Sequence, residues 1–240
     1  MTSVHHQEQF YNNRWQDFDF ANRLKLARCI NILNGLLGTK KVAPRIIDLG
    51  CGAGWLTSIL GQFGPTVGVE LSRRAVEEAA RKFPHVTFIQ ADIFTWDYPK
   101  EEFDIVVSQE VIEHVDEQER YLAIAHDLLQ PDGYLILTTP NARTFYAMQQ
   151  EQRESWSRQP IENWISRREL ANMVKRYFEI LELKTIILGY GSRGSYRLVN
   201  SRRVRDILHR VGLASAYDSL REHFGYGLHI MLVAQKRNRH

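Results

Sequence analysis

The 240-residue sequence predicts an α/β fold, an open doubly wound sheet of seven strands that is mostly parallel with an antiparallel last strand. Three observations carry this. From residue 46 onward, short β-branched runs alternate with amphipathic helical stretches, the pattern of successive βαβ units. The run Phe103-Asp104-Ile105-Val106-Val107-Ser108 is nearly unbroken in its apolarity, as a central parallel strand buried on both faces requires. The stretch Arg45-Ile46-Ile47-Asp48-Leu49-Gly50-Cys51-Gly52-Ala53-Gly54-Trp55 passes from a strand through a triple-glycine turn into a helix marked by Leu56, Ile59, Leu60 and Phe63. Glycines at alternate positions put no Cβ between main chain and ligand, so the turn reads as a seat for a small molecule.

Composition narrows the class. Hydrophobic residues at 44% and charged residues at 25% are globular values, and a net charge of +3 is too small to imply a nucleic-acid partner. Cys29 and Cys51 do not make a disulfide framework. Met1 to Phe20 has no apolar signal region, and no run approaches the ~20 apolar residues of a membrane-spanning helix. The expectation is one soluble, cytoplasmic domain over 1–240, with an N-terminal helical cap in 1–40, a ligand-binding half in 41–141 and a substrate-side half in 142–240.

The elements follow in order. Residues 1–20 are polar yet carry Phe10, Tyr11, Trp15, Phe18 and Phe20, a density that predicts packing rather than a free tail. Leu24, Leu26, Ala27, Ile30, Leu33, Leu36 and Leu37 recur at helical spacing. Thr66 to Leu71 is the second strand; Glu70, 20 residues after Gly50, stands where a nucleotide site places a carboxylate for ribose hydroxyls. Ser72 caps a helix with Ala75, Val76, Ala79, Ala80 and Phe83 inward. Val86 to Ala91 is the third strand, with Asp92 and Ile93 at its end. The fourth, Phe103 to Ser108, delivers Gln109-Glu110-Val111-Ile112-Glu113-His114-Val115 to the carboxyl edge, where ligands bind in open α/β sheets. Asp116 is expected to cap the helix holding Tyr121, Leu122 and Leu128, and Pro131-Asp132-Gly133 to turn into a fifth strand from Tyr134 to Thr139. Residues 142–165, with Phe145, Tyr146, Trp156 and Trp164, suit a lid. Ser166 and Glu169 form a capping box, and Phe178 to Leu188 and Tyr226 to Lys236 are the last strands.

Between those strands lies a basic insertion, residues 189–224. Arg193, Arg197, Arg202, Arg203, Arg205, Arg210 and Arg221 against Asp206, Asp218 and Glu222 give 7 − 3 = +4. Val204, Ile207, Leu208 and Val211 mark one apolar helix face. Two readings stand: a solvated basic face on a packed helix, or contact with an anionic substrate through residues such as Arg193 and Arg197.

The glycine spacing does not suit a dinucleotide site, since position 55 is Trp where a small residue belongs. With Asp48 before Gly50, the loop instead resembles the D-x-G-x-G-x-G first motif of class I S-adenosylmethionine-dependent methyltransferases. Leu128-Leu129-Gln130-Pro131-Asp132-Gly133-Tyr134-Leu135-Ile136 resembles that family's motif before strand five, so four motifs fall in family order across 46–141. The resemblance implies a Rossmann-like sheet and S-adenosylmethionine as cofactor. It implies that Asp48, Gly50, Cys51, Gly52, Gly54, Glu70, Leu71, Asp92, Ile93 and Gln109 hold that cofactor, with Asp92 accepting from the adenine amino group and the next backbone N–H reaching the ring. It makes Tyr11 and Trp15 lid residues.

The Glu110-Val111-Ile112-Glu113-His114-Val115 string resembles the O-methyltransferases of ubiquinone biosynthesis and the small-RNA 2′-O-methyltransferases. In those groups the E-x-x-E-H residues help bind a divalent metal with a further His after strand five, but residues 142–177 contain no histidine. Three readings remain, namely metal ligands, His114 as a metal-free general base, and support for a helix start. The missing histidine predicts activity that survives chelation, with His114 and Glu110 catalytic and no metal. The leading expectation is O-methylation of a small-molecule acceptor, a saccharide, phenolic or other biosynthetic intermediate with anionic groups. An RNA 2′-O-methyltransferase and a catalytically silent S-adenosylmethionine-binding protein are the alternatives.

Overall fold

In the computed structural model of the protein, the described residues are 4–14, 31, 35, 42–151, 153 and 159–237. Trp15, Phe18, Phe20, Cys29, Trp156 and most of the helix expected over Leu24–Leu37 lie outside them. Numbered over the described residues, the helices are α1 Val4–Arg14, α2 Trp55–Leu60, α3 Arg73–Lys82, α4 Gln118–Leu128, α5 Ala142–Tyr146, α6 Arg167–Val174, α7 Ser195–Val199, α8 Arg202–Arg210 and α9 Ala214–His223. The strands are β1 Ile46–Leu49, β2 Thr66–Glu70, β3 Thr87–Gln90, β4 Phe103–Gln109, β5 Leu129–Pro140, β6 Phe178–Ile186 and β7 His229–Lys236.

They form one seven-stranded sheet in the order β3-β2-β1-β4-β5-β7-β6. The β1–β2, β1–β4, β2–β3 and β4–β5 pairs are parallel, whereas β7 runs antiparallel to both neighbours, β5 and β6. Side chains alternate across the pleat, so adjacent residues feed different layers. Ile46 joins Leu60, Ile105, Val107 and Ile136 on one face, while Ile47 and Leu49 join Val106, Leu122, Leu170 and Phe178 on the other. Nearly every residue of β7 is buried, because it is an inner strand. Ile230 to Ala234 are accordingly apolar on both faces.

The caps explain where the helices begin. Ser72 accepts from the Ala75 N–H at 3.1 Å, and Ala75 and Ala79 face inward; Ala80, expected inward, is exposed, since it lies about 100° round the helix from Ala79. Ser166 and Glu169 form the expected capping box at α6. Asp116 does not cap α4. Glu117 holds the N-cap position without a side-chain bond, and the Asp116 carboxylate lies 3.4 Å from Asn163 Nδ2 instead. The fifth strand also begins earlier than expected, at Leu129, which pairs with Phe103. The Pro131-Asp132-Gly133 turn is absorbed as an irregularity in the ladder, with Asp132 at φ 62°.

The insertion departs furthest from expectation. No residue of α8 is buried, and Val204, Ile207 and Val211 are exposed, so its apolar face is not packed on the core. The charged Arg221 of α9, by contrast, is only 4% exposed. Among the described residues, no helix is long and apolar enough to cross a membrane.

Candidate functional site

The parallel register lines up the strand ends. Leu49 pairs with Val69 and Ser108, Glu70 with Gln90, and Gln109 with Thr138. Gly50, Leu71, Ala91 and Glu110 therefore leave the sheet along one edge, each one residue past those paired positions. The Gly50 and Cys51 N–H groups both donate to Val69 O, at 2.8 and 3.0 Å, and turn the chain sharply. Gly50 sits at φ 72°, and a Cβ there would lie 2.4 Å from Val111 Cγ2, so backbone and neighbour both demand glycine. This is a cradle that no larger residue could form.

Glu70 is buried, and its carboxylate accepts from the Gly52 N–H at 3.0 Å and the Ser72 N–H at 2.9 Å. Burial raises its pKa, and those bonds pull against the rise. Each oxygen has a second lone pair, so the group that ties the loop together can also accept from ligand hydroxyls. Asp48 lies beneath the loop, accepting from Thr57 Oγ1 at 2.7 Å. Burial pushes its carboxyl up to about 7, with the Glu70 charge adding to the rise. The Cys51 thiol is buried and pushed well above its ordinary range by that burial, so this residue presents its backbone rather than a reactive sulfur.

Asp92 follows β3 and accepts from the Phe94 N–H at 3.0 Å, which occupies Oδ1 in a local turn. Ile93 packs half-buried against the main core, and Leu71 and Gln109 are half-buried at the ends of β2 and β4. Helix α1 crosses this edge. Asn12 Oδ1 accepts from Ser72 Oγ at 2.7 Å, Gln7 Nε2 donates to His114 O at 3.1 Å, and the Tyr11 hydroxyl donates to Gln159 at 2.9 Å. One helix thus joins the β2 end, the β4 end and the 159–165 segment. Tyr11, expected as a lid residue, reaches the 159–165 segment, while Asn12 and Gln7 went unnoticed in the sequence because single polar residues carry no periodic signal.

Past β4 the chain is strained, with Glu110 at φ 58°. Its Oε1 accepts from Thr138 Oγ1 at 2.9 Å, and Oε2 lies 2.8 Å from Nδ1 of His229, the first residue of β7. Glu113, 1% exposed, accepts from Thr139 Oγ1 at 2.9 Å and lies 3.6 Å from His114 Nε2. His114 Nδ1 is 2.8 Å from Ile161 O, and because a carbonyl can only accept, Nδ1 carries the proton. The string of acids and histidine thus resolves into two carboxylate–imidazole pairs, each pinned by a β5 threonine. Sequence reasoning missed His229. It faces the site because Pro140 and His229 are paired across β5 and β7, a contact between residues 89 apart. Among the described residues, no group of three or more His, Cys, Asp or Glu side chains is arranged to hold a metal ion.

A glycine cradle, a buried acid at the next strand end and a second acid after the third suit a nucleoside-bearing ligand. A family model described as a methyltransferase domain matches residues 11–183 of this arrangement. The chain belongs to the class I S-adenosylmethionine-dependent methyltransferase family. The chain is 32% identical over 154 residues to a malonyl-[acyl-carrier protein] O-methyltransferase of Halalkalibacterium halodurans, covering 59% of this chain and 57% of that one. It is 31% identical over 130 residues to a ubiquinone biosynthesis O-methyltransferase of Glaesserella parasuis, covering 50% and 53%. The match thus spans between 29% and 57% of the length of the curated relatives. Among solved structures, the N-methyltransferase NodS of Bradyrhizobium japonicum, in complex with S-adenosyl-L-homocysteine, superposes with a TM-score of 0.62 at 12% identity, covering 97% and 99% of the two chains. That likeness bears on the fold. The sequence-based expectations of family, fold and methyl donor stand.

Proposed function

We propose that this methyltransferase methylates a hydroxyl oxygen of a small-molecule acceptor, with Glu70 and the Gly50–Gly54 loop holding the donor and His114 taking the acceptor's proton. The observation that carries the reading is the setting of His114. Its Nδ1–H is committed to Ile161 O, which leaves Nε2 as the basic nitrogen of the neutral ring. The buried Glu113 carboxylate, 3.6 Å away and anchored by Thr139, stabilises the imidazolium that forms. His229 is the competing base, and exposure decides between them: the His114 side chain keeps 12% of its surface and that of His229 only 3%. Glu110 already serves Thr138 and His229, so its role is to position His229 and shape the floor rather than to take the proton itself.

Bound S-adenosylmethionine supplies an electrophilic methyl group on a sulfonium, and alignment by the chain then contributes several kcal/mol to the barrier reduction. Asp92 and the Ile93 N–H are the proposed adenine contacts. Helix α1, through Tyr11, is proposed to close over the donor. The relatives named as O-methyltransferases favour oxygen as the acceptor atom, and a cytoplasmic setting suits the free thiol of Cys51. The test is a methyl-release assay over hydroxylated acceptor pools with EDTA present. His114→Asn is expected to lower kcat/KM by about 10²–10⁴, the usual worth of a positioned base, with donor affinity unchanged. Wild-type rates in that variant, or activity that needs an added divalent ion, would refute the assignment.

A further inference from the structure

The insertion holds a polar cavity of about 210 Å³, lined by residues that follow β6 in the chain. Arg202 and Arg205 of α8, Arg221 of α9, and Gly189 and Asn200 line it. Arg221 is the unusual member. It is only 4% exposed, its Nη1 donates to Asp218 at 2.8 Å, its Nη2 to Asn200 Oδ1, and its guanidinium stacks 5.5 Å from the centre of the Tyr217 ring. Its Nε is buried with no hydrogen-bond partner, a costly state for a cation. Asn200 is itself fixed, donating to Tyr190 O at 2.6 Å and Gly191 O at 2.8 Å. Arg221 and Asn200 are therefore held in place, and the charge of Arg221 is pre-placed.

The cavity also takes in the start of α8, a helix of nine residues whose first-turn N–H groups have no intrahelical acceptors and whose N-cap, Ser201, makes no side-chain bond. Three guanidiniums face it, and the one carboxylate paired with them, Asp218, leaves 3 − 1 = +2. No acidic residue lines it among the described residues. An excess of about two charges is what a phosphate monoester near pH 7 balances, and the planar forks of arginine suit its oxygens. Arg193 and Arg197, the residues the sequence favoured for anion contact, are exposed and lie outside the lining.

We infer that the cavity between Arg202, Arg205 and Arg221 is a binding site for a phosphate monoester. The insertion follows β6, which lies three strand spacings, about 14 Å, from β4 in the sheet. A phosphate bound there would belong to the end of an extended acceptor remote from the methylated hydroxyl, or to the headgroup of a lipid whose chains meet the exposed Leu198 and Ile207. That carrier role rests on the methyl-transfer reading above; the binding of phosphate does not.

The experiment is calorimetric titration of the full chain with inorganic phosphate against chloride at matched ionic strength, alongside a separate S-adenosylmethionine titration. One phosphate per chain is expected, with affinity at least about tenfold weaker in Arg202→Gln/Arg205→Gln, as loss of two charge-assisted contacts implies. Both residues are exposed, so the double variant should keep the wild-type melting temperature in the absence of phosphate. Absence of phosphate binding in the wild type, or equal binding by wild type and variant, would overturn the site whatever the donor titration shows. Failure of the donor titration with phosphate binding intact would overturn the methyl-transfer reading alone. Co-sedimentation with phosphatidic acid vesicles but not with phosphatidylcholine vesicles, lost in the double variant, assigns the phosphate to a lipid. Phosphate binding without vesicle binding assigns it to a soluble ester.

Discussion

In β1, β2 and β4 most apolar side chains are buried, and the buried carboxylates along their edge are tied to specific donors: Asp48 to Thr57, Glu70 to Gly52 and Ser72, Glu113 to Thr139. In the insertion the arrangement is reversed. There Ile207 and Val211 are 61% and 60% exposed while Arg221 is buried. A parallel sheet covered on both faces has two dry layers into which branched side chains must go, so sequence and burial agree. Three short helices appended past the last parallel strand have no such layer, and what is buried among them is decided by polar contacts. The first region is held by packing with polar groups fastened into it, the second by polar groups with apolar surface left over.

The largest expected effect contrasts two left-handed glycines. Gly50→Ala adds strain at φ 72° to a contact of 2.4 Å with Val111, and about 4 kcal/mol of destabilisation is expected from the sum of backbone strain and overpacking. Gly212→Ala, at φ 76° with nothing within 4 Å of the added Cβ, should cost about 1–2 kcal/mol from strain alone. Chemical denaturation of both variants measures the difference, and equal costs would break the contrast between a packed and an open region.

Next comes pH. The folded carboxyl of Asp48 titrates near 7 against 3.8 unfolded, so between those values the folded state holds a proton that the unfolded state releases. Stability from this group is therefore greatest at low pH and declines as pH rises through that window, by an amount on the order of a few kcal/mol. Asp48→Asn, which keeps an acceptor for Thr57, should flatten melting temperature between pH 4 and pH 7. An unchanged slope would show that the group is not charged against its surroundings.

Glu70→Gln should weaken S-adenosylmethionine binding by about 2 kcal/mol, the worth of bonds to a charged acceptor. Truncation to Ala would confound the measurement more, since both the Gly52 and the Ser72 N–H groups would lose their acceptor, whereas Gln keeps an oxygen for one of them. Unaltered affinity in calorimetry would remove Glu70 from the donor site. The smallest effect is expected at Ile207→Ser, within about 0.5 kcal/mol, because the side chain is 61% exposed and α8 buries nothing. A larger loss would mean that this face is covered in solution and would bring the two regions closer together in kind.

Much of the edge was legible in the residues themselves. Gly50, Glu70 and Asp92 announce themselves because strand ends, turns and caps are local events whose chemistry is written within a few neighbouring positions. The apolar runs of β1, β4 and β5 dictated a parallel sheet for the same reason, since only buried strands need unbroken β-branched character. Long-range pairing was not legible. His229 reads as one more strand residue until β7 inserts between β5 and β6 and sets it against Glu110, and Asp116 reads as a cap until Asn163 draws near its carboxylate. The amphipathic pattern of α8 promised a packed helix, yet amphipathicity states only that a face is apolar, not that another element exists to cover it. Which arginine of the basic insertion is buried depended on Asn200, Asp218 and Tyr217 converging on Arg221, a tertiary event with no signature in spacing or composition.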